Sequence, residues 1–343
     1  MTCLSELGAI IGLFIGDDMN EERVKKSKEI FKLASEMSQH YYHKPLIICY
    51  SGGKDSDVIL RLAMNCLTPD EFEVLHSVTT VDSPITNKYV NEIFKELKEK
   101  GIKCEKSIPV GKDGKPTNMW KLIVEKGIPP TRLARYCCAE LKETKTPNRV
   151  AVLGVRAKES VKRQGRDVFG VRGGSYKQAM FFSLDHTEEV HKEALEHEKE
   201  PNGSVWDCTL IKIMRENKDT VVNPIYEWSD ADVWEYLRGG QHPYNPMYDM
   251  GYHRVGCIGC PLATYRQKMK EFHDFPTYKE HYIKAFDDMV NRLKEKGWTF
   301  IENEKTKWVD GQSVFDWWIE EYKYNTKGQI SIDEWLKESE EQE

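Results

Sequence analysis

Residues 51–56 read Ser-Gly-Gly-Lys-Asp-Ser, between an apolar run at 45–50 and a helix-like pattern carried by Val58, Ile59, Leu60, Leu62 and Ala63. A strand, a tight glycine turn and a helix together leave backbone N–H groups free at the helix N-terminus. A lysine beside them adds a positive charge, so the combination suits a phosphate. Gly52 and Gly53 permit the turn and a close backbone approach, and Ser51 and Ser56 can add hydroxyl donors. The spacing is not the GxxxxGK[ST] of ordinary nucleoside triphosphatases. Four cysteines form a second set: Cys137 and Cys138 in RYCCAELK, and Cys257 and Cys260 in GCIGCP. Thiolates are soft ligands suited to zinc or iron–sulfur clusters, and a glycine before each cysteine of the Cys-x-x-Cys loop lets two sulfurs converge. The adjacent pair departs from the repeated Cys-x-x-Cys of a zinc ribbon. A cluster, a structural zinc, and redox-active or merely buried thiols all remain open on these residues alone. The third set is a basic loop, with Arg156, Lys158, Glu159, Ser160, Lys162, Arg163 and Arg166. Arginine forks match phosphate or sulfate oxygens in pairs, whereas a solvated charge run is the plain alternative.

These residues need a scaffold, and the pattern supplies one. Residues 20–42 are expected to form an amphipathic helix capped by Asn20. A buried strand follows at 45–50, then a helix to about residue 65, a strand at 73–81, a helix at 87–100 stopped by Gly101, and strands at 104–110 and 150–155. Strands alternating with helices predict an α/β fold with a doubly wound parallel sheet, ligands sitting at the strand C-terminal ends. Ser229 is expected to cap a helix from Asp230. Residues 178–220, polar and rich in His and Glu, read as an insertion whose His186, His191 and His197 suit a solvated surface. The domain plan is a helical lead-in at 1–43, a nucleotide-binding domain at 44–285 and an acidic helical region at 286–343.

SGGKDS resembles the PP-loop of the adenine nucleotide alpha-hydrolase-like superfamily, which includes ATP pyrophosphatases and the phosphoadenosine phosphosulfate (PAPS) reductases. That resemblance implies phosphate contacts from Ser51, Gly52, Gly53, Lys54, Asp55 and Ser56, and adenosine contacts from Thr80 and Asp82 in TTVDSP. GVRAKES resembles the GVR-x-x-ES stretch shared by PAPS reductases and the pyrophosphatase-like component of DNA phosphorothioation systems. It implies that Arg156, Glu159, Ser160 and the nearby Arg163 and Arg166 meet the bound anion. NPIYEWSDADVWEYL and HPYNPMYDMGYHRVGCIGCP continue the likeness. The cysteine pair plus Cys-x-x-Cys resembles the [4Fe-4S] motif of the assimilatory sulfonucleotide reductases, implying a cluster on Cys137, Cys138, Cys257 and Cys260.

Those reductases also carry a nucleophilic cysteine in a C-terminal ECGLH-type motif, and no cysteine follows Cys260 in this sequence. The expected activity is therefore that of a PP-loop ATP pyrophosphatase activating a substrate for sulfur transfer, of the nucleic acid thiolation or phosphorothioation type. Lys54, Asp55, Arg156 and Arg163 are its expected catalytic residues, with Mg²⁺ present. A nucleic acid substrate and a sulfur donor such as a cysteine desulfurase are the implied partners. Thiol-dependent reduction of PAPS or adenosine phosphosulfate is the alternative, and a non-catalytic nucleotide-binding module is the third reading.

Charge supports a divided molecule. Residues 142–177 carry ten Lys or Arg against three acids, whereas 301–343 carry twelve acids against five Lys. A basic working face and an acidic, solvated end follow. The apolar stretch at 7–15 is too short for a bilayer and lacks a basic leader, so a cytoplasmic protein with no membrane partner is expected. Nine cysteines without an export signal argue against a disulfide framework. Cys3, Cys49, Cys66, Cys104 and Cys208 are isolated and expected to serve packing.

Overall fold

The structure, a computed structural model, describes residues 3–142, 149–159, 161–164, 168–171, 220–297 and 308–324. They divide into two compact units. The first holds residues 1–77, 84–107 and 144–255. It contains helix α1 (Cys3–Tyr42), strand β1 (Leu46–Cys49), α2 (Lys54–Cys66), β2 (Phe72–Ser77), α3 (Pro84–Glu99), β3 (Cys104–Ser107), β4 (Val150–Val152), the short α5 (Val161–Gln164), β5 (Phe169–Val171), β6 (Thr220–Val222) and α6 (Asp230–Gly239). The sheet order is β3-β2-β1-β4-β6-β5, with every neighbouring pair parallel except β5–β6. The α/β fold with a parallel-dominant sheet flanked by helices thus stands, with one antiparallel edge strand that the alternation did not foretell; such an edge on a parallel sheet is common.

The central strands are apolar without alternation because both faces are covered. Leu46, Ile47, Ile48, Val150, Ala151 and Val152 are all buried. Ile30, Phe31, Ala34 and Met37 of α1 join Val58, Ile59, Leu62, Val90 and Phe94 in one core. Helix α1 begins well before Asn20, which therefore lies inside a helix rather than at its cap. Ser27 ties α1 to the segment ahead of α6: its hydroxyl donates to the Pro224 carbonyl (2.8 Å) and accepts from the Trp228 indole (3.1 Å). Ser229 caps α6 as expected, accepting from Asp232 N while Asp232 accepts from Ser229 N (2.6 Å). Of the expected insertion only Thr220 is described, and it opens β6; His186, His191, His197 and Cys208 lie outside the described residues.

One buried acid on the loop helix has a pH consequence. Asp57 is 1% exposed and accepts from the Tyr50 hydroxyl at 2.6 Å. Burial pushes its carboxyl from an ordinary 3.8 to about 7, against the opposing hydrogen bond of Tyr50 and the charge of Arg61. The folded chain thus keeps a proton that the unfolded chain gives up near pH 4. Stability from this group is full below that point and falls as pH rises toward about 7, by a few kcal/mol at about 1.4 kcal/mol per pKa unit. Asp57→Asn keeps an acceptor for Tyr50 and is expected to raise Tm at neutral pH and flatten the pH profile between about 4 and 7. Urea unfolding across that range checks it; an unchanged slope in the variant refutes the assignment.

The second unit holds residues 78–83, 108–143 and 256–343, with α4 (Met119–Lys126), α7 (Tyr265–Asp274), α8 (Pro276–Glu295) and α9 (Gly311–Tyr324). Its core is aromatic: Phe272, Tyr282, Phe286 and Trp318 pack together with Met119, Ile123 and Ile258. Trp318 also donates its indole N–H to the Pro130 carbonyl (2.8 Å). The helical C-terminal region expected from the sequence is present. No helix among the described residues is long and apolar enough to cross a membrane.

Candidate functional site

The glycine turn is built as the sequence predicts, with β1 before it and α2 beginning at Lys54. Gly52 has φ +74°, and a Cβ there would lie 2.9 Å from Val90 Cγ2, so both conformation and space demand glycine. Ser56 knits the turn: its hydroxyl donates to the Gly53 carbonyl (2.7 Å) and accepts from Gly53 N (3.1 Å), with Ser51 Oγ at 3.2 Å. The stretch 244–248 buttresses it from outside. Asn245 donates to the Gly52 carbonyl (2.9 Å) and to Thr86 Oγ1 (3.1 Å), and the Tyr248 hydroxyl accepts from Lys54 N (2.9 Å). Burial pushes the Tyr248 phenol above its usual range, so it stays a neutral partner.

At the mouth of the turn, charges close a ring. Lys54 Nζ lies 3.2 Å from Asp55 Oδ2 and 2.9 Å from Asp230 Oδ1. Arg156 reaches the same two carboxylates, Nε to Asp55 Oδ1 at 2.6 Å and Nη2 to Asp230 Oδ1 at 2.9 Å. Two cations are thereby gathered over a helix N-terminus, the arrangement that holds an anion. Glu159 turns to its own loop, accepting from Arg156 N (3.1 Å) and pairing with Arg163. The structure therefore brings Ser51, Gly52, Gly53, Lys54, Asp55, Ser56 and Arg156 together, with Glu159 and Arg163 paired one step behind. Ser160 and Arg166 lie outside the described residues, as does much of the basic stretch 142–177.

The second unit gathers the cysteines with Thr80 and Asp82. The predicted strand 73–81 stops at Ser77, because residues 78–83 leave the sheet to pair with the Cys-x-x-Cys loop. Asp82 and Cys257 form an antiparallel bridge, and Ile258 N donates to the Val81 carbonyl (2.8 Å). Thr80 takes a positive φ of 66° and accepts from Met119 N (2.9 Å), a strained position of the sort found at functional sites. Asp82 Oδ2 accepts from Thr79 N (3.1 Å), and Tyr278 donates to the Asp82 carbonyl (2.7 Å). Gly259, φ +70°, sits so close to Tyr282, Trp318 and Phe272 that a Cβ would lie 2.9–3.1 Å from them. The loop is fixed further by Glu271 accepting from Gly259 N (2.8 Å) and by Tyr282 donating to the Ile258 carbonyl (2.9 Å).

Across the chain, Cys137 shares a hydrogen bond with Cys138, and that bond, burial and the nearby Cys138, Cys257 and Cys260 hold its thiol far above the usual range. Burial, then Asp82, pushes Cys257 up to about 12 against the pull of Lys142. Cys137 and Cys257, whose thiols are held up by burial and by neighbouring sulfurs, belong to a donor set that a cation would reverse, since a metal deprotonates a coordinating thiol outright. Among the described residues no group of three or more His, Cys, Asp or Glu side chains is arranged to hold a metal ion. The four thiolates of a cubane each bind a different iron, a wider arrangement than one ion asks for. In donor type and mutual proximity the set fits such a cluster. Cys49, Cys66 and Cys104 are half-buried and pack against the core of the first unit.

Three groups at the glycine turn escaped sequence reasoning: Asp230, Asn245 and Tyr248. Asp230 was legible only as the start of a helix, and the other two stand within HPYNPMYDMGY without any local mark of their role.

A family model described as phosphoadenosine phosphosulfate reductase domain matches residues 45–263. An uncharacterized protein of Methanocaldococcus jannaschii is 26% identical over 261 residues, covering 74% of this chain and 42% of that protein. The chain spans about half the length of this and another curated relative from that organism. Among solved structures, a PAPS reductase from Candida auris in a phosphate complex is 15% identical, with a TM-score of 0.42, covering 71% of this chain and 94% of that one. The U34-tRNA thiolase NcsA from Methanococcus maripaludis with its [4Fe-4S] cluster is 13% identical, with a TM-score of 0.34 and 82% of each chain covered.

Proposed function

Because this chain belongs to the phosphoadenosine phosphosulfate reductase domain family, we propose that it binds an adenine nucleotide on residues 51–56 and cleaves it between the α- and β-phosphates, activating an acceptor for sulfur transfer. The observation that carries this reading is the cradle itself: a glycine turn at the N-terminus of α2 with Lys54 and Arg156 held over it. Lys54 and Arg156 neutralise the charge that grows on the phosphates as pyrophosphate leaves, and the Ser51 and Ser56 hydroxyls orient the phosphate oxygens. Asp55 fixes both cations and, with Mg²⁺ bound, offers a carboxylate to the metal. Arg163, held by Glu159, is the reserve cation of the basic loop. Thr80 and Asp82 are assigned to the adenosine by family likeness.

Cys137, Cys138, Cys257 and Cys260 are the residues that would hold a [4Fe-4S] cluster, which when bound would supply electrostatic and electron-transfer chemistry. A nucleic acid oxygen or carbonyl is the proposed acceptor and a cysteine desulfurase the proposed donor.

Anaerobically purified protein given ATP labelled in the γ-phosphate tests the reading. Labelled pyrophosphate released in the presence of nucleic acid supports it. Sulfite release from PAPS or adenosine phosphosulfate with thioredoxin, without pyrophosphate formation from ATP, overturns it in favour of reduction.

A further inference from the structure

The ring of charges at the cradle contains one group that no motif assigns. We propose that Asp230 stands in for a phosphate: it neutralises Lys54 and Arg156 until a nucleotide arrives, then leaves, and so sets how tightly the site grips anions. This rests on the reading of residues 51–56 as a nucleotide site.

One oxygen carries the role. Asp230 Oδ1 lies 2.9 Å from Lys54 Nζ and 2.9 Å from Arg156 Nη2, bridging both cations as a phosphate oxygen would. Asp55 takes the other side of each, so the four side chains sum to zero charge. Their exposures separate the two acids. The Lys54 and Arg156 side chains are 8% and 4% exposed and Asp55 is 20%, but Asp230 is 62%. A carboxylate already in contact with water loses little by turning away, whereas buried cations stripped of a partner need a replacement anion at once. Asp230 is therefore the member of the ring that yields.

The helix does not need Asp230 in that place. The capping bonds of α6 are made by Ser229 and Asp232, and a first-turn acid adds only a modest dipole benefit. Burial raises the Asp230 carboxyl, but the Lys54 and Arg156 bonds and charges outweigh it and hold it below its ordinary value. At neutral pH the group is ionised, so an incoming phosphate meets a competitor rather than a vacant pair of cations.

The test is calorimetric titration of the full chain with ATP and, separately, with inorganic pyrophosphate. Wild type, Asp230→Asn, Asp230→Glu and Lys54→Ala are compared at two salt concentrations. Asp230→Asn is expected to bind both ligands about three- to thirtyfold more tightly, as loss of two partly exposed ion pairs allows, and with a steeper salt dependence. Asp230→Glu should return affinity toward wild type. A merely structural Asp230 would weaken binding when replaced. Equal or weaker binding by Asp230→Asn, while wild type binds and Lys54→Ala does not, overturns the proposal and leaves the nucleotide reading standing. If wild type and Lys54→Ala bind ATP alike, the nucleotide reading fails and this inference falls with it. Should the Asn variant melt early, Asp230→Ser, which suits a helix N-terminus, carries the same comparison.

Discussion

Lys54→Ala is expected to lower pyrophosphate release from ATP by about 100-fold or more, with the fold retained. The side chain is 8% exposed and its ammonium stands between two carboxylates at the first residue of α2. Removing it takes away the charge nearest the turn, yet Asp55 and Asp230 keep Arg156 as a partner, so neither acid is left alone. The loss should therefore fall on turnover and nucleotide affinity, with a stability cost of about 1–3 kcal/mol. Steady-state pyrophosphate assays beside a thermal melt separate the two. Turnover that survives in a folded variant would place the chemistry elsewhere. Lys54→Arg is expected to recover only part of the activity, because a planar fork does not replace a compact ammonium in a ring this tight.

Cys257→Ser is expected to abolish cluster assembly. After anaerobic reconstitution, iron should fall from about four per chain to below about one, with loss of acid-labile sulfide and of brown colour. Cys257 bridges to Asp82 through the backbone and its thiol, hydrogen-bonded with Thr79, stands near Cys260, so a serine there removes one proposed ligand while leaving the backbone pairing of the loop in place. Cys66→Ser, a change on α2 in the other unit, should leave iron content unchanged, which distinguishes ligand loss from a general effect of losing a thiol. A wild-type protein that is colourless and carries one stoichiometric zinc would sink the cluster assignment, and retention of full iron in Cys257→Ser would remove this residue from the ligand set.

Much of the architecture was legible because it rests on short-range physics. The run at 46–49 had to be a covered strand, Gly52 had to turn, Ser229 had to cap, and the amphipathic spacing of α3 had to be helical. What misled were the ends of elements. The pattern through residues 73–81 is apolar enough for a longer strand, but the chain leaves the sheet after Ser77, since pairing of Val81 and Asp82 with residues 257 and 258 satisfies the same backbone groups. The edge strand β5 was invisible for a related reason: three residues carry no period, and only β6 as a partner makes them a strand.

The sequence by itself determined the chemistry on offer: a glycine turn with lysine and serine at a helix N-terminus, four thiols in two pairs, and a basic loop after a buried strand. These depend on neighbours within a few residues, where φ, spacing and capping decide. The tertiary structure alone decided the partners. Arg156 meets Asp55 across 101 residues, Asp230 stands 74 residues beyond Arg156, and Tyr248 takes the Lys54 amide across 194. Such meetings follow from the order of strands in the sheet and from which buried charge must find a counterion, and neither is written in local pattern.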